Sequence, residues 1–310
     1  MTWNSLEGID VAFVSGAMPD DCVELRGLVG RERLSQLYEF DLLLWRFEGP
    51  FTDDQLDDLL KAPCAIAMGP DEADLVHGIL RSIEVIDSPS GTPPRYRATL
   101  VPTAWLLSVA KTNRLFQDQS LKTTLKEVLE LYKLGDGTHF DVCSDGVTRD
   151  HVVQYQESDW DFVQRRLEHD GFFYWFEQHP KNEKLMVADA NSATGRIAEP
   201  SKVSYRDQNN LSTGGESTVF DWNRKLSRTA ARVALLDHNY EQAEPFISGR
   251  SPVDADRGFG TVFSFGEHFR DSTEGEALAK LGATFDFITL AAYQLQAGSP
   301  DLAPHSAPAR

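Results

Sequence analysis

Four groups of side chains in this sequence have residue types from which chemistry is made. Asp53, Asp54, Asp57 and Asp58 crowd carboxylates as a divalent-cation site would. A calcium loop, however, needs alternating oxygen ligands, a central glycine and a closing glutamate, all lacking here. At helical spacing the four carboxylates lie opposite Leu56, Leu59 and Leu60, so they read as the solvated face of a short helix. Glu168 and His169, beside Asp170, suggest an acid–base pair, but sequential neighbours on a helix do not face each other. A histidine two residues before Gly171 instead suits a helix C-terminus. The aromatic run Phe172–Phe176 could form a ligand box or a carbohydrate platform. Because both alternating faces are aromatic, it reads as core or as subunit contact, with its second face still needing a partner from the same chain or another copy. Gly258-Phe259-Gly260 is too short a turn to cradle a phosphate. His77 and His151 sit in strand contexts, as surface or satisfied polar residues. No GxSxG, Walker A, GxGxxG or HExxH pattern occurs. The expectation is no catalytic residue, no cofactor-binding residue, no metal ligand and no cofactor.

Composition narrows the partners. Lys and Arg number 30 against 48 Asp and Glu, a net charge of −18. That balance argues against nucleic acid and anionic membranes, both of which need a positive face. Cys22, Cys64 and Cys143 are odd in number and far apart, so they read as small buried side chains in a reducing compartment. The N-terminal MTWNSLEGID lacks the basic and apolar regions of a signal peptide, and no stretch approaches the ~20 apolar residues of a membrane span.

The elements that would position these side chains can be read in order. Ile9, Val11 and Phe13 alternate as a strand, Cys22–Leu28 forms a second, and Tyr38–Trp45 a third that Gly49-Pro50 stops. Thr52 caps a helix with Gln55 as its capping-box partner, and Pro63 ends it. Cys64, Ile66 and Met68 alternate. Leu75–Ile86 is a strand with Ile79, Ile83 and Val85 on one face; Ser88–Pro94 turns it back into Tyr96–Val101. Short strands at this spacing predict a closed or nearly closed barrel. Next comes an amphipathic helix with Leu121, Leu125, Val128, Leu129 and Tyr132 inward, closed by Gly135–Gly137. A short strand follows at Phe140–Cys143.

The stretch Gln154–Glu177 holds a strand end, a helix and an aromatic strand. Ser158 caps the helix with Asp161 as its box-like partner. Asp159 and Asp161 complement the helix dipole. Trp160, Val163 and Leu167 form its apolar stripe, with Arg165, Arg166 and Glu168 off it. Gly171 stops it, and Phe172–Phe176 should be buried on both sides. Leu185–Ala188 returns as a hairpin partner. From about Asn191 the chain is strand-like, with turns at Gly195, Asn209-Asn210 and Gly214-Gly215. Strands are expected at Val219–Leu226, Ala230–Leu236 and Gly260–Phe265. Ser272 caps a last helix with Leu278, Leu281 and Phe285 inward, and Phe287–Leu295 is a final strand.

These residues resemble a known family. Gln154-Tyr155, Glu157-Ser158-Asp159, Phe162-Val163, Leu167, Gly171, Tyr174 and Phe176 match the signature of VgrG proteins, the spike proteins of type VI secretion. Gly30–Leu44 resembles that family's early Gly-x-x-x-Leu-Ser-x-x-Tyr/Phe-x-Phe strand. His77-Gly78-Ile79, Trp105-Leu106-Leu107 and the run from Arg114 to Ser120 resemble further family segments, so the likeness covers about residues 10 to 300. It implies an α+β, predominantly β fold with two tube-forming β-barrel domains and an inserted α/β domain, as in phage tail hub proteins. The expected divisions are 1–105, a first tube barrel; 106–195, a mixed middle domain; 196–297, a second tube barrel; and 298–310, a flexible tail. The OB-fold and β-helical spike that follow in the family are expected to be absent, which makes the chain a truncated hub fragment or a short natural form.

The resemblance implies a structural, non-enzymatic homotrimer that caps an Hcp-like hexameric tube and meets baseplate proteins, a PAAR-type tip protein and effectors. It would be assembled in the cytoplasm and then secreted by the contractile machine, with no nucleic acid and no membrane insertion. The alternatives are a hub of a phage tail or other injection particle, and a carbohydrate-binding module or enzyme that uses the aromatic strand.

Overall fold

A computed structural model of the chain describes residues 5–6, 9–19, 22–68, 75–86, 91–137, 139–190, 192, 204–205, 218–239 and 246–298. Two compact units divide them, one within Met1–Ala198 and one formed by Glu199–Pro300. The fold is mixed α+β and mostly strands.

The first unit opens with β1 (Ser5–Leu6), β2 (Ile9–Ser15), β3 (Glu24–Arg31), β4 (Glu39–Trp45), α1 (Asp53–Lys61), β5 (Pro63–Met68), β6 (Leu75–Ile86) and β7 (Arg95–Val101). The strands form one sheet in the order β1-β2-β5-β6-β7-β4-β3, antiparallel at every pairing. β1 and β3 remain as its two edges, so where a closed or nearly closed barrel is expected the sheet is a curled half-barrel. Register shifts at Leu25/Gly27 and Leu80/Ser82 mark bulges, which sharpen twist and bend. The bulge in β6 also reverses the phase of its inward side. Val76 and Leu80 are buried while Val85 is exposed, and only Ile83 of the expected face packs against the core. Phe13, Leu25, Phe40, Leu44, Ile66, Tyr96 and Leu100 are central to that core. Thr52 and Gln55 form the full capping box on α1. Leu59 is buried there but Leu60 is exposed, contrary to expectation. The Ser88–Pro94 turn lies partly outside the described residues.

A 3-10 turn at Thr103–Ser108 leads to β8 (Lys111–Ser120), α2 (Leu121–Glu130), β9 (Phe140–Val142), β10 (Thr148–Ser158), α3 (Asp159–His169), β11 (Phe173–Gln178) and β12 (Glu183–Ala188). β8 and β10 pair as an antiparallel ribbon, and β11, β12 and β9 form a three-stranded sheet in that order. Leu121, Leu125, Val128 and Leu129 are the inward face of α2. This helix stops before the expected glycines: Lys133 takes the left-handed conformation at φ 60°, and the Leu134 N–H reaches the Leu129 carbonyl at 3.0 Å. A second core gathers Phe116, Trp160, Phe162, Leu167, Tyr174 and Val187. Phe176 packs against both cores.

The second unit contains β13 (Ser204–Tyr205), β14 (Thr218–Leu226), β15 (Arg232–Asp237), β16 (Ile247–Pro252), β17 (Thr261–Phe265), α4 (Ser272–Leu290) and β18 (Ala291–Gly298). Two three-stranded sheets result, β13-β14-β18 and β16-β15-β17. Small residues let α4 lie close to its sheet: Gly275, Ala279 and Ala283 are buried, and a Cβ on Gly249 of β16 would collide with the Gly275 carbonyl. Three expectations fail along α4. Leu281 is exposed rather than inward, and the apolar Phe287–Leu290 continues the helix, so the last strand starts at Ala291. The first turn is capped from Asp271, whose Oδ1 accepts the Glu274 N–H at 2.9 Å, one residue before the expected Ser272. The turns at Gly195, Asn209-Asn210 and Gly214-Gly215, the Phe285 side chain and the tail from residue 299 onward lie outside the described residues.

Candidate interaction surfaces

The conformation of α3 places the first surface. Ser158 Oγ accepts the Asp161 N–H at 3.0 Å, the forward half of the expected cap. At the other end Gly171 takes φ 77°. Its N–H reaches the Glu168 carbonyl and the Phe172 N–H reaches the Leu167 carbonyl at 2.8 Å. This is the two-bond Schellman closure that a left-handed C′ residue permits.

Asp159, read from sequence as a dipole partner, is almost wholly buried at 1% exposure. Arg114 on β8 donates to both of its carboxylate oxygens, at 2.7 and 3.2 Å. The buried Gln154 Nε2 adds a bond at 2.7 Å, and Tyr132 Oη another at 2.8 Å. One carboxylate thereby ties the ribbon, α3 and the segment after α2 together. Burial, with the Asp159 bond and charge added, pushes the Tyr132 hydroxyl up to about 12.

With Arg114, Phe116 and Gln154 turned inward, the residues between them face outward. Leu115 pairs with Val153 in the register and Tyr155 with Asn113, and Leu115, Val153 and Tyr155 are all exposed. They form an apolar strip on the outer face of the ribbon, with the exposed His151 beside it. A second exposed apolar surface runs through β17 of the other unit, where Phe263 and Phe265 project.

The candidate chemical groups fare differently. Asp53, Asp54, Asp57 and Asp58 are all exposed on α1, and no metal-binding group occurs among the described residues. Asp170 lies within an ion-pair cluster. It sits at the α3 C-terminus with 1% of its side chain exposed and is held by Arg166 at 2.8 Å, His169 at 2.8 Å and Arg149 at 3.5 Å. Burial alone would raise its pKa, but the His169 hydrogen bond and the surrounding cations outweigh that and hold the carboxyl below the usual 3.8. Arg166, off the apolar stripe, is buried in this cluster.

His77 is half-buried between the first sheet and the β11–β12 hairpin. Its backbone N–H binds Gln178 Oε1 at 3.0 Å and its carbonyl accepts from Tyr38 Oη at 2.6 Å. In the glycine turn, the Gly258 and Phe259 N–H groups are engaged by the Asp254 and Thr229 carbonyls. Cys22 and Cys64 are buried, but Cys143 is exposed; its thiol donates to Asp189 at 3.2 Å.

The aromatic strand is not buried on both sides. Phe172 and Tyr174 are buried, while Phe173, Trp175 and Phe176 are half-buried. Phe173 and Trp175 stack on each other with centroids 5.8 Å apart. Tyr174 is bound from the other side: its carbonyl accepts the Ser35 N–H at 2.8 Å.

No helix among the described residues is long and apolar enough to cross a membrane.

The family described as phage tail baseplate hub (GPD) matches residues 31–305. The spike protein VgrG1c of Pseudomonas aeruginosa is 27% identical over 246 residues, covering 78% of this chain and 33% of the relative. VgrG5 from the same organism is 31% identical over 218 residues, covering 69% and 26%. The chain thus spans about a third or less of the length of these relatives. Among solved structures, the prophage MuSo2 tail protein of Shewanella oneidensis superposes with a TM-score of 0.60 at 10% identity, covering 92% of this chain and 81% of that one. An E. coli type VI secretion component reaches 0.54 at 18% identity, covering 78% and 66%. The chain belongs to the phage tail baseplate hub family and is homologous to the spike proteins of type VI secretion.

Proposed function

We propose that this chain is the hub-forming part of a type VI secretion spike. Three copies make a pseudo-sixfold ring that caps an Hcp-like hexameric tube and joins it to baseplate proteins, a PAAR-type tip and effectors. In this reading residues 1–105 and 196–297 are tube domains and 106–195 the domain inserted between them. The part described by 1–310 assembles rather than catalyses. It is made in the cytoplasm and exported by the contractile machine.

The observation that carries the reading is the placement of exposed apolar side chains on open sheet surfaces, in the ribbon strip of Leu115, Val153 and Tyr155 and along β17. Obligate ring contacts bury surfaces of this kind. Light scattering on the purified protein tests it. The expected mass is three times 34.7 kDa. A folded monomer at micromolar concentration that stays monomeric when the following region of a full-length relative is appended would refute it.

A second reading, a hub of a phage tail, is favoured by the family description itself. Genes next to this one for a tail tape-measure protein rather than an Hcp-like protein would decide for it. A carbohydrate-binding or enzymatic role for the aromatic strand is less well supported, because Phe173 and Trp175 are half-buried and the Trp175 N–H is already bonded to Glu177 at 3.1 Å. Phe173→Ala and Trp175→Ala variants that lose binding to a glycan array while still assembling would restore that reading.

A further inference from the structure

We infer that the seam between the tip of the β11–β12 hairpin and the first sheet is a pH-sensitive joint. The tip is seated on β6 while the His77 ring is neutral and lifts locally when the ring takes a proton. The inference concerns the inside of the first unit and stands apart from the hub reading.

Polar contacts and one aromatic contact make the seam. The His77 N–H on β6 donates to Gln178 Oε1 at 3.0 Å, at the end of β11. The Thr103 N–H, just past β7, donates to Glu183 Oε1 at 2.7 Å, at the start of β12. Both acceptors are side chains that flank the hairpin turn, so lifting the tip frees the His77 and Thr103 amides together. Nearer the start of β11 the hairpin is held differently. There the Ser35 N–H donates to the Tyr174 carbonyl at 2.8 Å, and Tyr38 meets Phe176 edge to face with ring centroids 5.1 Å apart. Neither of these two contacts involves His77, so they keep the base of the hairpin in place when the tip moves.

His77 is the titratable member of the seam. Its backbone is pinned on both sides, the N–H by Gln178 and the carbonyl by Tyr38 Oη. The ring is half-buried. Its Nε2 is enclosed, and no hydrogen-bond partner for that atom occurs among the described residues. A neutral ring with its proton on Nδ1 leaves only a lone pair there. A charged ring must place an N–H there, and an enclosed donor without an acceptor is costly. Glu183 of β12 faces the ring and favours its charged form, but Glu183 is itself buried and already accepts the Thr103 N–H. The exposed His179 in the hairpin turn meets the ring through its main chain. Tyr38 comes from β4, with the charge of Glu32 acting on its hydroxyl, and Ala65 of β5 lies opposite His77. Burial outweighs the help from Glu183 and His179 and holds the ring below 6.5. Lifting relieves that burial, so proton uptake favours the lifted state. The contact is complete above 6.5 and weakens as pH falls toward the lowered folded value.

The test is site-resolved hydrogen exchange on the 310-residue chain at about pH 7.5 and 5.5, with rates corrected for the intrinsic effect of pH. About one pH unit below 6.5, a single group that titrates normally in the lifted state changes the opening equilibrium by no more than about tenfold. Protection of the His77 and Thr103 amides should therefore fall about two- to tenfold at the lower pH. The Ser35 amide and the β4–β7 ladder should keep their protection. His77→Gln should abolish the difference between the two pH values. Glu183→Gln keeps an acceptor for Thr103 but removes the compensating charge, so it should enlarge the difference. Unchanged protection of the His77 and Thr103 amides in the wild type overturns the inference. So does a loss shared equally by the β4–β7 ladder, which is unfolding of the whole unit. A His77→Gln chain with the wild-type response assigns the proton to another group and overturns it too. If His77→Gln misfolds, Glu183→Gln decides: a response no larger than that of the wild type overturns the inference. Each of these outcomes leaves the light-scattering test of the hub reading untouched.

Discussion

Arg114 holds Asp159 through two hydrogen bonds, at 2.7 and 3.2 Å, and so fixes which side of the β8–β10 ribbon faces outward. Removing one partner of a buried pair leaves the other charge without compensation, at a cost of about 3 kcal/mol. Arg114→Ala strands the buried Asp159 carboxylate and should therefore lower stability by that order in chemical denaturation. Asp159→Ala should cost less, because the Arg114 side chain it leaves behind is 28% exposed and can be rehydrated. A double-mutant cycle measures the coupling directly.

This cluster also explains what the sequence hid. α2 and α3 were legible because their apolar spacing is local, as are the cap and stop of α3: Ser158 and Gly171 each do what their types predict. The ribbon was not, because Arg114 and Gln154 point inward and Leu115, Val153 and Tyr155 outward, the reverse of the usual binary pattern. β16, with sequence ISGRSP, carries no alternating apolar pattern and is a strand through its pairing with β15. β17 was recognisable as a strand, but that both of its faces are exposed depends on neighbours remote in sequence.

Acid should destabilise the first unit in two steps. His77 is held below 6.5, mainly by burial, against the opposing charge of Glu183. Its neutral form is the one the fold favours, so its contribution is complete above 6.5 and declines as pH falls toward the lowered folded value. Asp170 is held below 3.8. Its contribution is complete above 3.8 and is lost as pH falls through the folded value. Denaturation midpoints measured between pH 8 and 3 should fall in both windows. His77→Gln should flatten the upper decline and Asp170→Asn the lower.

Two glycines are tied to specific geometry. Gly171→Ala places a side chain at φ 77° and should cost about 1–2 kcal/mol. Gly249→Ala meets the Gly275 backbone, so α4 must shift, at about 1–3 kcal/mol. Thermal unfolding should show one transition lowered in each case. The effect of Gly249→Ala should lie in the second unit, as hydrogen exchange would reveal.

The ribbon strip should matter for assembly and not for folding. Leu115→Asp and Tyr155→Asp change exposed positions and should move stability by no more than ~0.5 kcal/mol. Each should reduce incorporation into assembled particles, as read by quantitative immunoblotting of purified machines.

The most direct test of the hub account is a cryo-EM reconstruction of the assembled particle viewed down its axis. Three copies of this chain in a pseudo-sixfold ring on the end of the tube are expected. A particle that lacks the chain, or carries it as a single copy away from the axis, would contradict the account.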